Sequence, residues 1–300
     1  MASAVAAFAP AKINLYLHVV GRRADGYHLL DSLVAFADIG DRLTAILADS
    51  LTLTVSGPEA AALAGLGEDN LVLRAARHLA RRHGIGAGAA LHLEKHLPAA
   101  SGIGGGSSDA AACLRALAAL WRLEDVGAEA RDAAELAASL GADMPACLTA
   151  RPLWVGGVGE MIEPAGTLPD LAIVLANPRR ELPTAEVFRG RSGAFGGTGR
   201  FAPVPTGTAE FVAALGRCRN DLTAAAITLV PEIGTVLDRL AALPGALLAR
   251  MSGSGATCFA LFANRDLAQR SGAALMRAEP RWWVRSGALI AAPPLVEFSS

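Results

Sequence analysis

Apolar and polar positions change rhythm several times along the chain. Residues 12–20, KINLYLHVV, alternate partially and predict a strand, and an Asp-Gly pair at 25–26 marks the turn after it. Strand-like segments recur near 33–39, 42–48 and 51–55. Asp69-Asn70 then offers a cap to a helix over LVLRAARHLARRHG, which stops at Gly84. Residues 89–98 alternate again and predict a strand, and a glycine/serine segment behind them runs straight into an Ala/Leu-rich helix. A further helix is expected at about 128–140, ending at Gly141.

The second half restarts with strands near 154–160 and 171–178. Residues 189–208 are rich in Gly, Pro and Thr and predict an irregular connection. Helices follow at about 208–216 and 221–242, the second broken near Pro231. GALLARMSGSGATCFALFA predicts strand, turn, strand; a helix near 265–278 and a final strand, RWWVRSGAL, close the pattern. Strands and helices are grouped rather than strictly alternating, which predicts an α+β fold and not a doubly wound sheet. No internal repeat is visible.

Composition narrows the function classes. Among 300 residues 52% are hydrophobic, much of this alanine, so the chain has ample core and is not disordered. A net charge of −1 argues against a nucleic-acid binder, although not against binding one nucleotide. No run of about 18 uncharged apolar residues predicts a membrane span. The first residues lack the basic region of a signal peptide, and a motif beginning by Ala9 leaves no length for a transit peptide. Cys113, Cys147, Cys218 and Cys258 form no C-x-x-C pair and are expected as buried thiols of a cytoplasmic protein. Of the 27 basic residues only two, Lys12 and Lys95, are lysines. A lysine that persists in so arginine-biased a chain points to a task for a compact ammonium that a planar guanidinium cannot do.

The chemistry concentrates in Ser101-Gly102-Ile103-Gly104-Gly105-Gly106-Ser107-Ser108. Glycines let a backbone close around a ligand with its N–H groups inward, and the helix that follows adds partial positive charge, so the segment suits phosphate. It is not a Walker A loop, which needs a lysine, nor a clean dinucleotide fingerprint, since Ser107 stands where the third glycine belongs. His92 and His96 are four apart, but on a strand running into Pro98 that spacing does not converge on a metal. Ser254 lacks the strand–turn–helix setting of a hydrolase nucleophile and is expected to pack near the site.

Three segments in order, Pro10-Ala11-Lys12-Ile13-Asn14-Leu15, Leu97 to Ala111, and Ser252-Gly253-Ser254-Gly255-Ala256, resemble the GHMP kinase superfamily over nearly the whole chain. Arg23-Ala24-Asp25-Gly26-Tyr27-His28, Asp69-Asn70-Leu71, Leu140 to Pro145, Pro183 to Phe188 and Arg219-Asn220-Asp221-Leu222 are similar to the branch whose acceptor is a cytidine diphosphate conjugate of methylerythritol, in non-mevalonate isoprenoid synthesis.

The resemblance implies a two-domain α+β kinase with its site in the cleft between residues 1–155 and 156–300. It implies transfer of the γ-phosphoryl group of ATP to a tertiary hydroxyl. Asp143 matches the carboxylate that takes the hydroxyl proton, and Lys12 the ammonium that stabilises the developing charge. Pro98, Ala99, Ala100, Ser101, Gly102, Ile103, Gly104, Gly105, Gly106, Ser107 and Ser108 are expected around the ATP phosphates. Mg²⁺ is expected with them, with Ser107 and Ser108 as candidate ligands. Tyr27 and Phe188 are expected to sandwich the cytosine while His28 reads its edge, with Asn14 and Thr184 as polar contacts. Asn70 suits either the adenine end or a plain helix cap. Homoserine and mevalonate kinases, and a catalytically silent nucleotide sensor, are the competing readings. Homoserine and mevalonate offer no base to stack on Tyr27, and a silent sensor predicts damage at Lys12 or Asp143, both of which are intact.

Overall fold

The computed structural model describes residues 4–123, 135, 139–292 and 295–299. The helix expected at about 128–140 falls largely outside them. The chain opens with a long antiparallel hairpin, β1 (Ala4–Arg22) and β2 (His28–Ala48). β3 (Thr52–Ser56) and β4 (Gly88–Glu94) extend the sheet beside β2, paired parallel to each other because helix α1 (Leu71–Arg82) carries the chain across between them. β5 (Leu153–Gly157) pairs with the first part of β2, and β6 (Met161–Pro164) pairs with β5. Helices α2 (Gly105–Leu120) and α3 (Met144–Thr149) pack with α1 on this sheet.

The second half builds an antiparallel sheet from β7 (Ala172–Asn177), β8 (Leu248–Met251), β9 (Cys258–Phe262) and β10 (Trp283–Ala288), in the order β10-β7-β9-β8. Its helices are α4 (Thr184–Gly190), α5 (Thr208–Gly216), α6 (Thr223–Leu229), α7 (Glu232–Ala241) and α8 (Arg265–Ala278). β11 (Glu297–Ser299) returns to the first sheet beside β1.

β1 threads all three hydrophobic cores. Val5, Ala7 and Ala9 pack under α1 and α2; Ala11, Ile13 and Leu15 enter a middle core; Leu17 and Val19 join a third. The middle core is where the sheets meet: Ile173 and Leu175 of β7 face it, while Val174 and Ala176 face Ile233, Val236 and Leu275 of α7 and α8. This strict alternation with both faces buried explains why residues 171–176, LAIVLA, show no polar positions.

Two expectations change, and a third, the domain division, is proposed at a different position. β1 starts at Ala4, eight residues before the alternating run, because an alanine-rich stretch with Pro10 at a register shift carries no alternation. The segments expected at 33–39 and 42–48 are one strand, β2. Gly40-Asp41 is not a turn there: Gly40 lies so close to β1 that a Cβ would sit 2.2 Å from the Ala9 carbonyl oxygen, and Asp41 turns its carboxylate inward. The division expected after residue 155 falls inside β5, and we propose to place it after Pro164, where the chain leaves the first sheet.

Candidate active site

Lys12 and Asn14 sit two apart on β1, opposite Phe36 and Val34, with no register shift between them. Their side chains therefore share one face, turned into a cleft of about 980 Å³. Asp143 meets Lys12 from the other side. It stands at the start of α3, where its carbonyl accepts from Cys147 N, but its carboxylate does not cap that helix. Instead Lys12 Nζ donates to Asp143 Oδ1 at 2.8 Å. The lysine side chain is 7% exposed and the aspartate 43%, so the carboxylate is the partner open to the cleft. An ion pair with an open partner contributes about 1 kcal/mol or less to stability, so folding alone gives little reason for the arrangement.

The glycine segment lies against this pair. Residues 105–108, expected as loop, form the first turn of α2. Gly104 caps it in the left-handed conformation (φ 63°), with no side-chain cap and no acidic residue in the first turn. The first helical bond runs from Ser108 N to Gly104 O, which leaves the N–H groups of Gly105, Gly106 and Ser107 ahead of it at the positive end of the helix. Two glycines sit where a side chain would be strained. At Gly104 a Cβ would approach Lys12 Cβ to 3.1 Å. At Gly102 (φ 75°) it would lie 2.5 Å from Ser252 O and 2.7 Å from Gly255 N. The Ser252–Gly255 turn thus packs directly on the loop, with Ser252 Oγ accepting from Asn14 N at 3.1 Å and donating to Gly102 O at 3.0 Å.

The expected phosphate residues separate by position. Ala100, Ser101, Gly102, Gly104, Gly105, Gly106 and Ser107 line the cleft; Pro98, Ala99, Ile103 and Ser108 do not. Ile103 points into the middle core while its carbonyl accepts from Lys12 N at 2.9 Å. Ser108 is fully buried and donates to Pro10 O at 2.7 Å, which ties α2 to β1 and removes it as a candidate metal ligand. Asn70 is also absent from the wall. Its Oδ1 accepts from Val72 N at 2.9 Å, a cap that contributes about 1 kcal/mol to α1.

The far end of the cleft is aromatic and basic. Tyr27, 65% exposed, follows the Asp25-Gly26 turn, and Arg22 and Arg189 line the wall beside it. His28 stacks on Phe188 with centroids 5.2 Å apart, so the flat surface offered to a base is that stacked pair with Tyr27 beside it, not an open slot between Tyr27 and Phe188 alone. Desolvation first, and then the charges of Arg22 and Arg191, hold the His28 imidazole below its ordinary pKa, so the ring stays neutral and offers one donor and one acceptor. Thr184 at the start of α4 and Ser254 of the Ser252–Gly255 turn, both in the second half, hold their hydroxyls 2.8 Å apart in the cleft wall.

Several site-building residues carry no role in the sequence reading. Asn220 Nδ2 donates to Met251 O and Gly253 O, both at 2.8 Å, and so fixes the Ser252–Gly255 turn. The RNDL segment was visible, but only the fold shows what it holds. His92 lies on β4, bonded to Thr54 and Ser56 side chains, and His96 pairs with Glu94.

Comparison with known proteins gives the family. Residues 70–151 match the family model described as GHMP kinases N terminal domain, and residues 208–279 the one described as GHMP kinases C terminal. The chain is 49% identical over 282 residues to a 4-diphosphocytidyl-2-C-methyl-D-erythritol kinase of Paramagnetospirillum magneticum, covering 94% of this chain and 97% of that protein. It is 52% identical to the Parvibaculum lavamentivorans protein of that name, covering 96% and 99%. A crystal structure of 4-(cytidine 5'-diphospho)-2C-methyl-D-erythritol kinase matches with a TM-score of 0.75 at 37% identity, over 95% of this chain and 98% of that one. No helix among the described residues is long and apolar enough to cross a membrane.

Proposed function

The chain belongs to the 4-diphosphocytidyl-2-C-methyl-D-erythritol kinases, within the GHMP kinases, and from that premise we propose that Lys12 and Asp143 carry its phosphoryl transfer. It is an ATP-dependent small-molecule kinase of the isoprenoid pathway. The observation that carries the assignment of the step is the 2.8 Å contact between Lys12 Nζ and Asp143 Oδ1, placed between the glycine turn and the aromatic end.

ATP lies with its phosphates against the N–H groups of Gly105, Gly106 and Ser107. The acceptor lies with its cytosine on the Tyr27, His28 and Phe188 surface and its tertiary 2-hydroxyl at Asp143. That hydroxyl is a weak nucleophile at neutral pH. Asp143 takes its proton as the oxygen bonds to the γ-phosphorus and the bond from that phosphorus to ADP breaks. The Lys12 ammonium offsets negative charge building on the transferring group and orients the carboxylate. The Ser107 hydroxyl, at the phosphate end of the cleft, is an oxygen donor that would suit Mg²⁺, which would neutralise phosphate charge. We place the enzyme in the cytoplasm, where its four buried cysteines stay free thiols.

An ADP-release assay with diphosphocytidyl-methylerythritol, mevalonate and homoserine in parallel tests the acceptor. Turnover is expected with the cytidylated acceptor alone. Comparable turnover with mevalonate or homoserine would show that the aromatic end does not select the substrate.

A further inference from the structure

The two lysines of the chain flank the same pair of glycines. A Cβ on Gly104 would lie 3.1 Å from Lys12 Cβ, and a Cβ on Gly105 would lie 3.3 Å from Lys95 Nζ. Lys12 faces the cleft; Lys95 lies behind the turn, 1% exposed. Its ammonium donates to Asp41 Oδ2 at 2.5 Å and to Asp109 Oδ2 at 2.7 Å. Both carboxylates are as buried as the lysine. Asp41 Oδ1 accepts from His96 N at 2.5 Å and Leu97 N at 2.8 Å, the backbone that leads into the loop. Asp109 sits on the second turn of α2, and its Oδ1 has no hydrogen-bond partner. The ammonium thus joins β2, the approach to the loop and the start of α2, immediately beneath the N–H groups proposed for phosphate.

We propose that Lys95 is a positioning residue for the phosphoryl donor, fixing the glycine turn against Asp41 and Asp109. The proposal rests on the nucleotide reading given above. Full burial between two carboxyl groups suits a compact ammonium better than the larger, planar guanidinium that the chain uses elsewhere. Burial above all, and then the Asp41 charge, drives the Asp109 carboxyl far up from the usual carboxylate range, toward about 8, against the pull of Lys95. Lys95 from the β4 side and Asp41 from β2 are the charged groups facing it. Loss of the Asp109 proton at alkaline pH adds negative charge behind the turn.

Lys95→Met alone leaves Asp41 and Asp109 buried without their shared ammonium, so the decisive variant is Lys95→Met with Asp109→Asn. It keeps Asp41 on its two backbone donors. Titration calorimetry with MgATP, together with steady-state kinetics, reads the effect on wild type, the double variant and Asp109→Asn. The double variant is expected to weaken MgATP binding by about tenfold or more, with the KM of the acceptor unchanged. The wild-type KM for ATP is expected to rise above about pH 8, and Asp109→Asn to flatten that limb. Unchanged MgATP binding in the folded double variant, or an alkaline limb that survives in Asp109→Asn, would overturn the role of Lys95. Failure of the wild type to bind MgATP would instead overturn the nucleotide reading.

Discussion

Asp143→Asn is expected to lower kcat by a factor of about 10² to 10⁴ while leaving the KM values for ATP and acceptor within about threefold. The asparagine is isosteric and its amide oxygen still accepts from Lys12 Nζ, so the geometry at 2.8 Å survives. It cannot take up a proton. The variant therefore removes an interaction that matters only as the hydroxyl oxygen bonds to phosphorus, and uniform binding is spared. Steady-state kinetics on the purified variant, with binding checked by calorimetry, reads this directly. A kcat within threefold of wild type would mean that the proton leaves by another route.

Lys95→Met is expected to destabilise the fold by about 3–5 kcal/mol, because it leaves the buried Asp41 carboxylate without its counter-ion and takes the shared donor from Asp109. Denaturant titration checks the value, and adding Asp109→Asn is expected to recover part of it. Asp109→Asn alone acts through pH. The folded-state pKa of Asp109 is raised, so the folded protein holds a proton that the unfolded chain releases at lower pH. The wild-type stability contribution of this group is therefore greatest below the unfolded-state pKa and falls as pH rises toward about 8. Asparagine removes that decline, so the variant gains on wild type as pH increases. A difference independent of pH would contradict the assignment.

Local pattern was enough for the helices at 208–216 and 265–278, whose ends are marked by turn residues and a capping Asn264. It was also enough for the break at Pro231, between α6 and α7. Alternation failed where a strand is buried on both faces or made of alanine, as at the start of β1. The glycine motif was legible because glycine best suits the left-handed backbone at 102 and 104 and, at 102, the close approach of the Ser252–Gly255 turn. The facing of Ser108 was not. Adjacent serines look alike in sequence, yet helical rotation turns Ser107 into the cleft and Ser108 onto Pro10 O. Asn70 was ambiguous for a similar reason, since a cap and a ligand contact ask for the same side chain. The Lys95 cluster was half visible: the rarity of lysine singled the residue out, but its partners lie 54 and 14 positions away and only the fold unites them.

The most direct test of the central claim is a crystal structure with a non-hydrolysable ATP analogue and the cytidylated acceptor bound together. The account predicts the γ-phosphate at the Gly104–Ser107 turn and the tertiary hydroxyl within hydrogen-bond reach of Asp143, beside Lys12 Nζ. A hydroxyl that approaches the γ-phosphate with Asp143 out of reach, or an acceptor whose cytosine lies away from Tyr27, His28 and Phe188, would contradict it.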